Sequence, residues 1–180
     1  MKIDSMLSST LETKRLLLRP PIKDDFEEFA QMQADPEVKK YIGEPISRAK
    51  AWATFCAWWG EWSIHGYSFF SVIEKSSGKW IGRCGPVNRD NFGLPELGWA
   101  LFGASQGKGY ALEAASVCLD WAIEKLGWQQ CYLFISSENE PSRKLARKMG
   151  FEVVARIDHP FEFHSKAVET WKIEAKNWKA

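Results

Sequence analysis

The chain has 180 residues, 45% of them hydrophobic and 26% charged, with a formal net charge of +1. These are ordinary values for one globular domain that buries enough surface to fold without staples. The near-zero charge excludes the basic excess that drives nucleic-acid binding, and no apolar run approaches the roughly 20 residues of a membrane span.

The four cysteines, Cys56, Cys84, Cys118 and Cys131, form no C-x-x-C pair and have no histidine at ligand spacing. They read as free thiols of a cytoplasmic protein, and no metal site is expected. Residues 1–10 lack an apolar run long enough for a signal-peptide core. They are expected to form a flexible segment ahead of a single domain over residues 11–178.

In chain order, Leu16, Leu17, Leu18 and Arg19 close a strand-like run before Pro20-Pro21. Asp24-Asp25 offers an N-cap for a helix through about Gln33, with Phe26, Phe29, Ala30 and Met32 as its apolar positions. The carboxylates Asp24, Asp25, Glu27 and Glu28 suit a positive helix start and read as solvated charge. Ser47 opens a second helix in which Trp52, Phe55, Trp59 and Trp62 share one face, ending near Gly66. That stripe reads as core, and Trp58, off the stripe, is expected to be exposed.

Strand-like segments follow at residues 68–74 and 80–89, separated by Ser76-Ser77-Gly78, and a further one at 94–102. Residues 109–126 are rich in Ala and Leu, with Gly127 placed to end a helix. A buried strand at 130–136, a short helix at 141–149 and two more strands at 151–158 and 167–175 complete the chain. The pattern predicts a mixed α/β domain with a central sheet and about four helices. Cys84, Cys118 and Cys131 read as small core residues, and His65, His159 and His164 as surface or packing residues.

The stretch from Glu96 to Ala111 carries the chemistry. A strand runs into a loop containing Gln106, Gly107 and Gly109, and a long helix follows. The first turn of a helix leaves backbone N–H groups without intrahelical partners, at the positive end of the macrodipole. Glycines let a phosphate approach those groups closely, and Lys108 adds a charge beside them. Two phosphate motifs fail here. Only three residues separate Gly103 from Gly107, one short of a P-loop, and the dinucleotide fingerprint meets Leu112 where a small residue is needed.

Gln106, Gly109 and Ala111 match Q/R-x-x-G-x-G/A, and the segment resembles motif A of the GNAT superfamily of N-acetyltransferases. Downstream, the run from Asn139 to Phe151 resembles the family's motif B, N-x-x-[SA]…K-x-G-F. The opening, Leu11 to Arg19, resembles the first strand of the RimJ/RimL-like branch, whose members acetylate N-terminal amines of ribosomal proteins, with relatives acting on other amines. The resemblance spans about residues 10–175.

It implies a GNAT fold: a mostly antiparallel sheet splayed in a V between strands 4 and 5, here the segments at 94–102 and 130–136. It implies acetyl-coenzyme A as co-substrate and no metal. The pantetheine arm is expected against the backbone of Trp99, Ala100 and Leu101. The pyrophosphate is expected on the N–H groups from Gln106 through Gly107, Lys108, Gly109 and Tyr110 to Ala111, with Asn139 reaching the pantetheine from the far side. The implied activity is direct acetyl transfer to a primary amine, above all a peptide or protein N-terminus. A small-molecule acceptor such as a polyamine or antibiotic, or a coenzyme A-binding module without turnover, are the alternatives. The implied partner is the amine, with no nucleic acid or membrane, for a monomer or homodimer.

Two catalytic roles follow from the resemblance. Glu96 matches a strand carboxylate that takes the amine's proton, often through water. Ser142 stands where related branches carry a tyrosine or serine near the sulfur, and its hydroxyl suits hydrogen bonding to a developing thiolate better than full proton donation. Tyr132 and Tyr110 do not match the family's tyrosine acid. The first helices contribute to acceptor binding in this family. The tryptophan stripe is therefore also read as a possible acceptor wall, and the Asp24–Glu28 cluster as a possible attraction for a cationic acceptor.

Overall fold

A computed structural model describes residues 9–87, 93–157 and 167–179. The expectations for the first eight residues, Arg89, His159 and His164 fall outside them.

Among the described residues, eight strands form one sheet: β1 (Leu11–Glu12), β2 (Leu16–Arg19), β3 (Phe70–Glu74), β4 (Lys79–Val87), β5 (Glu96–Leu101), β6 (Gln130–Ser136), β7 (Glu152–Ile157) and β8 (Val168–Glu174). Five α-helices among the described residues accompany it: α1 (Phe26–Ala34), α2 (Pro36–Lys39), α3 (Arg48–His65), α4 (Tyr110–Leu126) and α5 (Glu140–Lys148). The strand order is β1-β2-β3-β4-β5-β6-β8-β7, and every neighbouring pair is antiparallel except β5 with β6. This is the mixed α/β domain expected from the sequence pattern, with the GNAT architecture that the resemblance implied. The two-residue β1 and the four-residue α2 are additions to the predicted elements.

The junction of β5 and β6 positions the site. β5 pairs with β4 along its whole length, from Glu96 opposite Val87 to Leu101 opposite Gly82. β6 pairs with β8 from Gln130 to Ser136. Between β5 and β6, however, the register holds only Glu96 opposite Tyr132, backed by the Tyr132 N–H donating to Pro95 O at 2.8 Å. Beyond Glu96 the two strands part, and β5 turns the edge it does not share with β4 towards the opening.

The Ala-rich sequence of α4 lets it sit close on β4 and β5. Ala114, Ala115, Cys118, Leu119 and Ala122 are fully buried there, and the Cys118 thiol donates to Cys84 O at 3.7 Å. α1 and α3 pack together through rings, with Phe29 5.4 Å from Phe55 and 5.6 Å from Trp58.

Two readings of this region are corrected by the structure. Trp58 is 3% exposed, whereas Trp52, within the predicted stripe, is 46% exposed. The inward face of α3 is Ala51, Phe55, Trp58 and Trp62. Its choice is fixed by the indole N–H groups of Trp58 and Trp62, which both donate to Phe69 O. Asp25 stands at the N-cap position of α1 but is not solvated helix charge: it is 4% exposed, and its carboxylate accepts from the Ile22 N–H at 2.9 Å and from no N–H of α1. Its carboxylate accepts both guanidinium arms of Arg19 at 2.7 Å and the Ser71 hydroxyl at 2.6 Å. Paired in this way, a buried carboxylate is a structural tie between β2, β3 and α1.

Candidate active site

Two cavities meet where β5 leaves β6. The first, of about 400 Å³, runs along β5 and over the start of α4, and Trp99, Ala100, Leu101, Gln106, Gly107, Gly109, Tyr110, Ala111, Asn139 and Ser142 all line it. The second, of about 580 Å³, includes Glu96, Gly98, Arg83, Gln33 and Lys39 in its wall. Trp99, Ala100, Asn139 and Ser142 belong to both, together with Tyr41 and Ile42.

At the α4 end of the first cavity, Gly107 (φ 73°) and Gly109 (φ 80°) both adopt left-handed backbone, which side chains with a Cβ resist. The turn they make aims the start of α4 at the cavity. The first bond inside the helix is the Glu113 N–H to Gly109 O at 3.1 Å. The N–H groups of Tyr110, Ala111 and Leu112 thus have no carbonyl within the helix, and they are donors at its positive end. The Gln106 N–H already donates to Gly103 O at 3.0 Å, and its side-chain amide donates to Leu101 O at 3.2 Å and closes the loop onto β5. Lys108 is not among the lining residues. Its carbonyl accepts from the Arg15 guanidinium at 2.8 Å, and its ammonium lies 6.0 Å from the Tyr110 ring centre.

Tyr110 is anchored from the opposite side. Its hydroxyl donates to Glu74 at the end of β3, and the Arg15 guanidinium lies 4.5 Å over its ring. Hydrogen bonds from Ser77 and Tyr110 hold the Glu74 carboxyl below its ordinary range, and the same bond to Glu74 raises the Tyr110 phenol. Arg15 also bonds Glu113 at 2.6 Å, so the loop and the first turn of α4 are tied to β2 and β3.

On the α5 side, the Asn139 carboxamide oxygen accepts from Ser142 N–H at 3.2 Å and caps the helix. That leaves the carboxamide NH₂ as a donor for the cavities that Asn139 lines. The indole N–H of Trp99 donates to the Ser142 hydroxyl oxygen at 3.3 Å. A hydroxyl that accepts this bond still has its own proton to give.

Glu96 is 4% exposed and forms part of the second cavity alone. Its charge is felt by the neighbouring Cys131 thiol, which burial first and Glu96 second push well above the usual cysteine range. Burial likewise raises Cys118, helped by Cys84. Neither is built as a nucleophile, since a thiolate is the reactive form.

The wall residues that sequence reading missed include Gln33, Lys39, Tyr41, Ile42 and Arg83. Most belong to the stretch after α1, where Asp35-Pro36 is a legible helix start: Asp35 accepts from Glu37 N–H at 2.9 Å with proline at the first turn. Arg83 lies inside a strand and carries no sequence signal of its own. The stripe residues Trp52, Trp59 and Trp62 line neither cavity.

Comparison with known proteins agrees with this geometry. The family model described as "Acetyltransferase (GNAT) domain" matches residues 15–152. An uncharacterized N-acetyltransferase, p20 of Bacillus licheniformis, is 31% identical over 79% of this chain and 82% of its own. The fold is shared with ribosomal-protein-S5-alanine acetyltransferase from Vibrio fischeri, at a TM-score of 0.75 and 20% identity, over 96% of this chain and 100% of that one. It is shared also with spermidine N-acetyltransferase from Vibrio cholerae, solved in complex with CoA and spermine. There the TM-score is 0.75 with 19% identity, over 91% of this chain and 98% of that one. The chain belongs to the GNAT family and is an N-acetyltransferase of its RimJ/RimL-like branch.

Proposed function

We infer that the first cavity takes acetyl-coenzyme A, the second takes the amine, and acetyl passes directly between them, with a peptide or protein N-terminus as acceptor. The observation that carries this reading is the shared wall at Trp99, Ala100, Asn139 and Ser142, with Glu96 on the amine side only. The free N–H groups at the start of α4 suit the pyrophosphate, and the β5 edge turned from β4 suits the amides of the pantetheine arm.

In this arrangement the amine nitrogen attacks the thioester carbonyl carbon, forming the C–N bond as the C–S bond breaks. Glu96 takes the proton the nitrogen must lose, directly or through one water. The Ser142 hydroxyl, held by Trp99, donates a hydrogen bond to the departing sulfur. Bringing both reactants to one point converts a two-body encounter into a local one.

The α-amine is favoured by proton chemistry. With an ordinary pKa of about 7.7–8.0, on the order of a tenth of it is neutral at pH 7, against a few parts in ten thousand for a lysine amine near 10.4. One shielded carboxylate is sufficient help for the first and scant help for the second. Thiol release with acetyl-coenzyme A is expected with peptides bearing a free N-terminus and not with their N-acetylated forms. Turnover confined to polyamines or aminoglycosides would contradict the peptide reading.

A further inference from the structure

Beside Glu96, the wall of the second cavity is completed by a ring from another part of the chain. β4 and β5 run antiparallel with Val87 opposite Glu96 and Gly85 opposite Gly98. Side chains alternate across a sheet, so Glu96 and Gly98 face the same way, about 7 Å apart along β5. Both line the second cavity, together with Val87 and Phe69. A Cβ on Gly98 would come within 3.0 Å of the Phe69 ring edge and 3.1 Å of a Val87 methyl group. A Cβ on Gly85 would meet the Phe69 Cα at 3.2 Å and Ser68 O at 3.0 Å. The paired glycines thus leave a depression in the sheet, and Phe69, just before β3, fills it with its ring.

The ring has little freedom to leave that place. The Phe69 carbonyl accepts the indole N–H groups of both Trp58 and Trp62, two buried side chains of α3. Trp58 also stands edge-on to the Phe69 ring, at 6.4 Å between centres and 90° between planes. The Arg83 guanidinium lies 4.3 Å from the ring centre, and Gly98 backs the ring edge. A ring held at its carbonyl, its edge and its face in a close-packed surround has no void to turn into. It acts as a fixed stop. An amine delivered to Glu96 brings its own carbon substituent up to Val87 and Phe69. A small substituent fits without moving the ring. A large one must displace the ring or hold the nitrogen away from Glu96, and misplacement of the reacting atom is costly.

The geometry points to Phe69 as the residue that sets the size of the acceptor's first side chain, by standing as a fixed stop beside the place of the amine. This rests on the reading above, with a peptide amine in the second cavity, and names the residue that governs which N-terminus is taken. The tie between specificity and structure is direct. Removing the ring uncovers the depression over Gly85 and Gly98, and the space gained lies next to Glu96, where a larger first side chain needs it.

The test measures thiol release with amidated hexapeptides that differ only in their first residue, alanine, leucine or phenylalanine. With wild-type protein, kcat/KM is expected to fall in that order, by tenfold or more from the first to the last. In Phe69→Ala the alanine-to-phenylalanine ratio is expected to shrink at least tenfold, with the phenylalanine peptide gaining in absolute kcat/KM. Phe69→Leu, which keeps an apolar side chain against Trp58, is expected to shift the ratio the same way by less, and it carries the comparison if Phe69→Ala does not fold. A merely structural role for the ring would lower all three rates together. Equal kcat/KM across the wild-type series would overturn the inference while leaving acetyl transfer to peptides intact. Ratios that stay unchanged in the variants, each shown folded by its melting curve, would overturn the assignment to Phe69. No thiol release with any peptide would instead remove the acceptor reading and this inference with it.

Discussion

The Trp99 indole N–H donates to the Ser142 hydroxyl at 3.3 Å, joining β5 to the first turn of α5 across the opening between β5 and β6. These two residues come from the two sides of the splayed sheet, and both cavities run past them.

Because that bond occupies a lone pair of Ser142 and leaves its proton to give, Ser142→Ala is expected to lower kcat by roughly 10- to 100-fold, somewhat less than the loss of an oxyanion donor. The KM for acetyl-coenzyme A is expected to change little. Steady-state rates at saturating donor check this, and full activity in the variant would remove Ser142 from the chemistry.

Glu96→Gln keeps the shape of the cavity wall and removes the carboxylate proposed as the base. The expected loss in kcat/KM is about 10²- to 10⁴-fold at neutral pH, the usual range for a general base. The loss is expected to narrow as the pH rises, because the amine then arrives already neutral. A pH–rate profile that is unchanged by the substitution excludes Glu96 from proton transfer.

Gly109 begins α4 at φ 80°, with the Arg15 guanidinium 3.4 Å from where a Cβ would stand. Alanine there forces left-handed backbone on a residue that resists it, at a cost of about 1–2 kcal/mol. Gly109→Ala is expected to melt at lower temperature and to raise the KM for acetyl-coenzyme A more than it lowers kcat. The two effects are read from a thermal melt and donor-saturation curves.

The Glu74–Tyr110 bond ties the motif A loop to β3 and carries a pH signature. Hydrogen bonds from Ser77 and Tyr110 hold Glu74 below its ordinary value of 4.5. A carboxylate depressed in the folded state contributes its stability above the unfolded value and loses it as the pH falls through the folded one. Melting temperature is therefore expected to decline below about pH 4.5. In Tyr110→Phe that decline is expected to be shallower, because one of the bonds favouring the charged form is gone. Parallel declines in the two proteins would show that the bond does not form.

Cys56 is exposed and the other three thiols are buried, with Cys118 and Cys131 further quieted by their raised pKa values. A thiol reagent is expected to modify one cysteine quickly in the folded protein and all four after denaturation. Rapid modification of a second cysteine under native conditions would contradict the packing of α4 on β4.

Much of the frame was legible because it is encoded locally. The strand at 96–101, the glycine loop and the Ala-rich helix follow one another in sequence, and glycine at 107 and 109 reports its own backbone requirement. Other features depend on which distant segment arrives beside them. Two helical faces fit the aromatic spacing of α3 equally well, and the choice of Trp58 over Trp52 is made by Phe69 O, which takes both the Trp58 and Trp62 indoles. Asp25 reads as a helix-start charge because nothing in its spacing reports the pair it makes with Arg19 or the Ser71 hydroxyl, 46 residues away, that joins it. The wall of the second cavity was the least legible part. Gln33, Lys39 and Arg83 reach it from α1, α2 and β4, and no spacing along the chain relates them.

The most direct test of the account is an initial-rate matrix, in which thiol release is measured while acetyl-coenzyme A and a peptide acceptor are varied together. Direct transfer between the two meeting cavities predicts release that requires both reactants, with double-reciprocal lines that intersect. Parallel lines would contradict direct attack, and release no faster than acetyl-coenzyme A hydrolysis without an amine would contradict the claim itself.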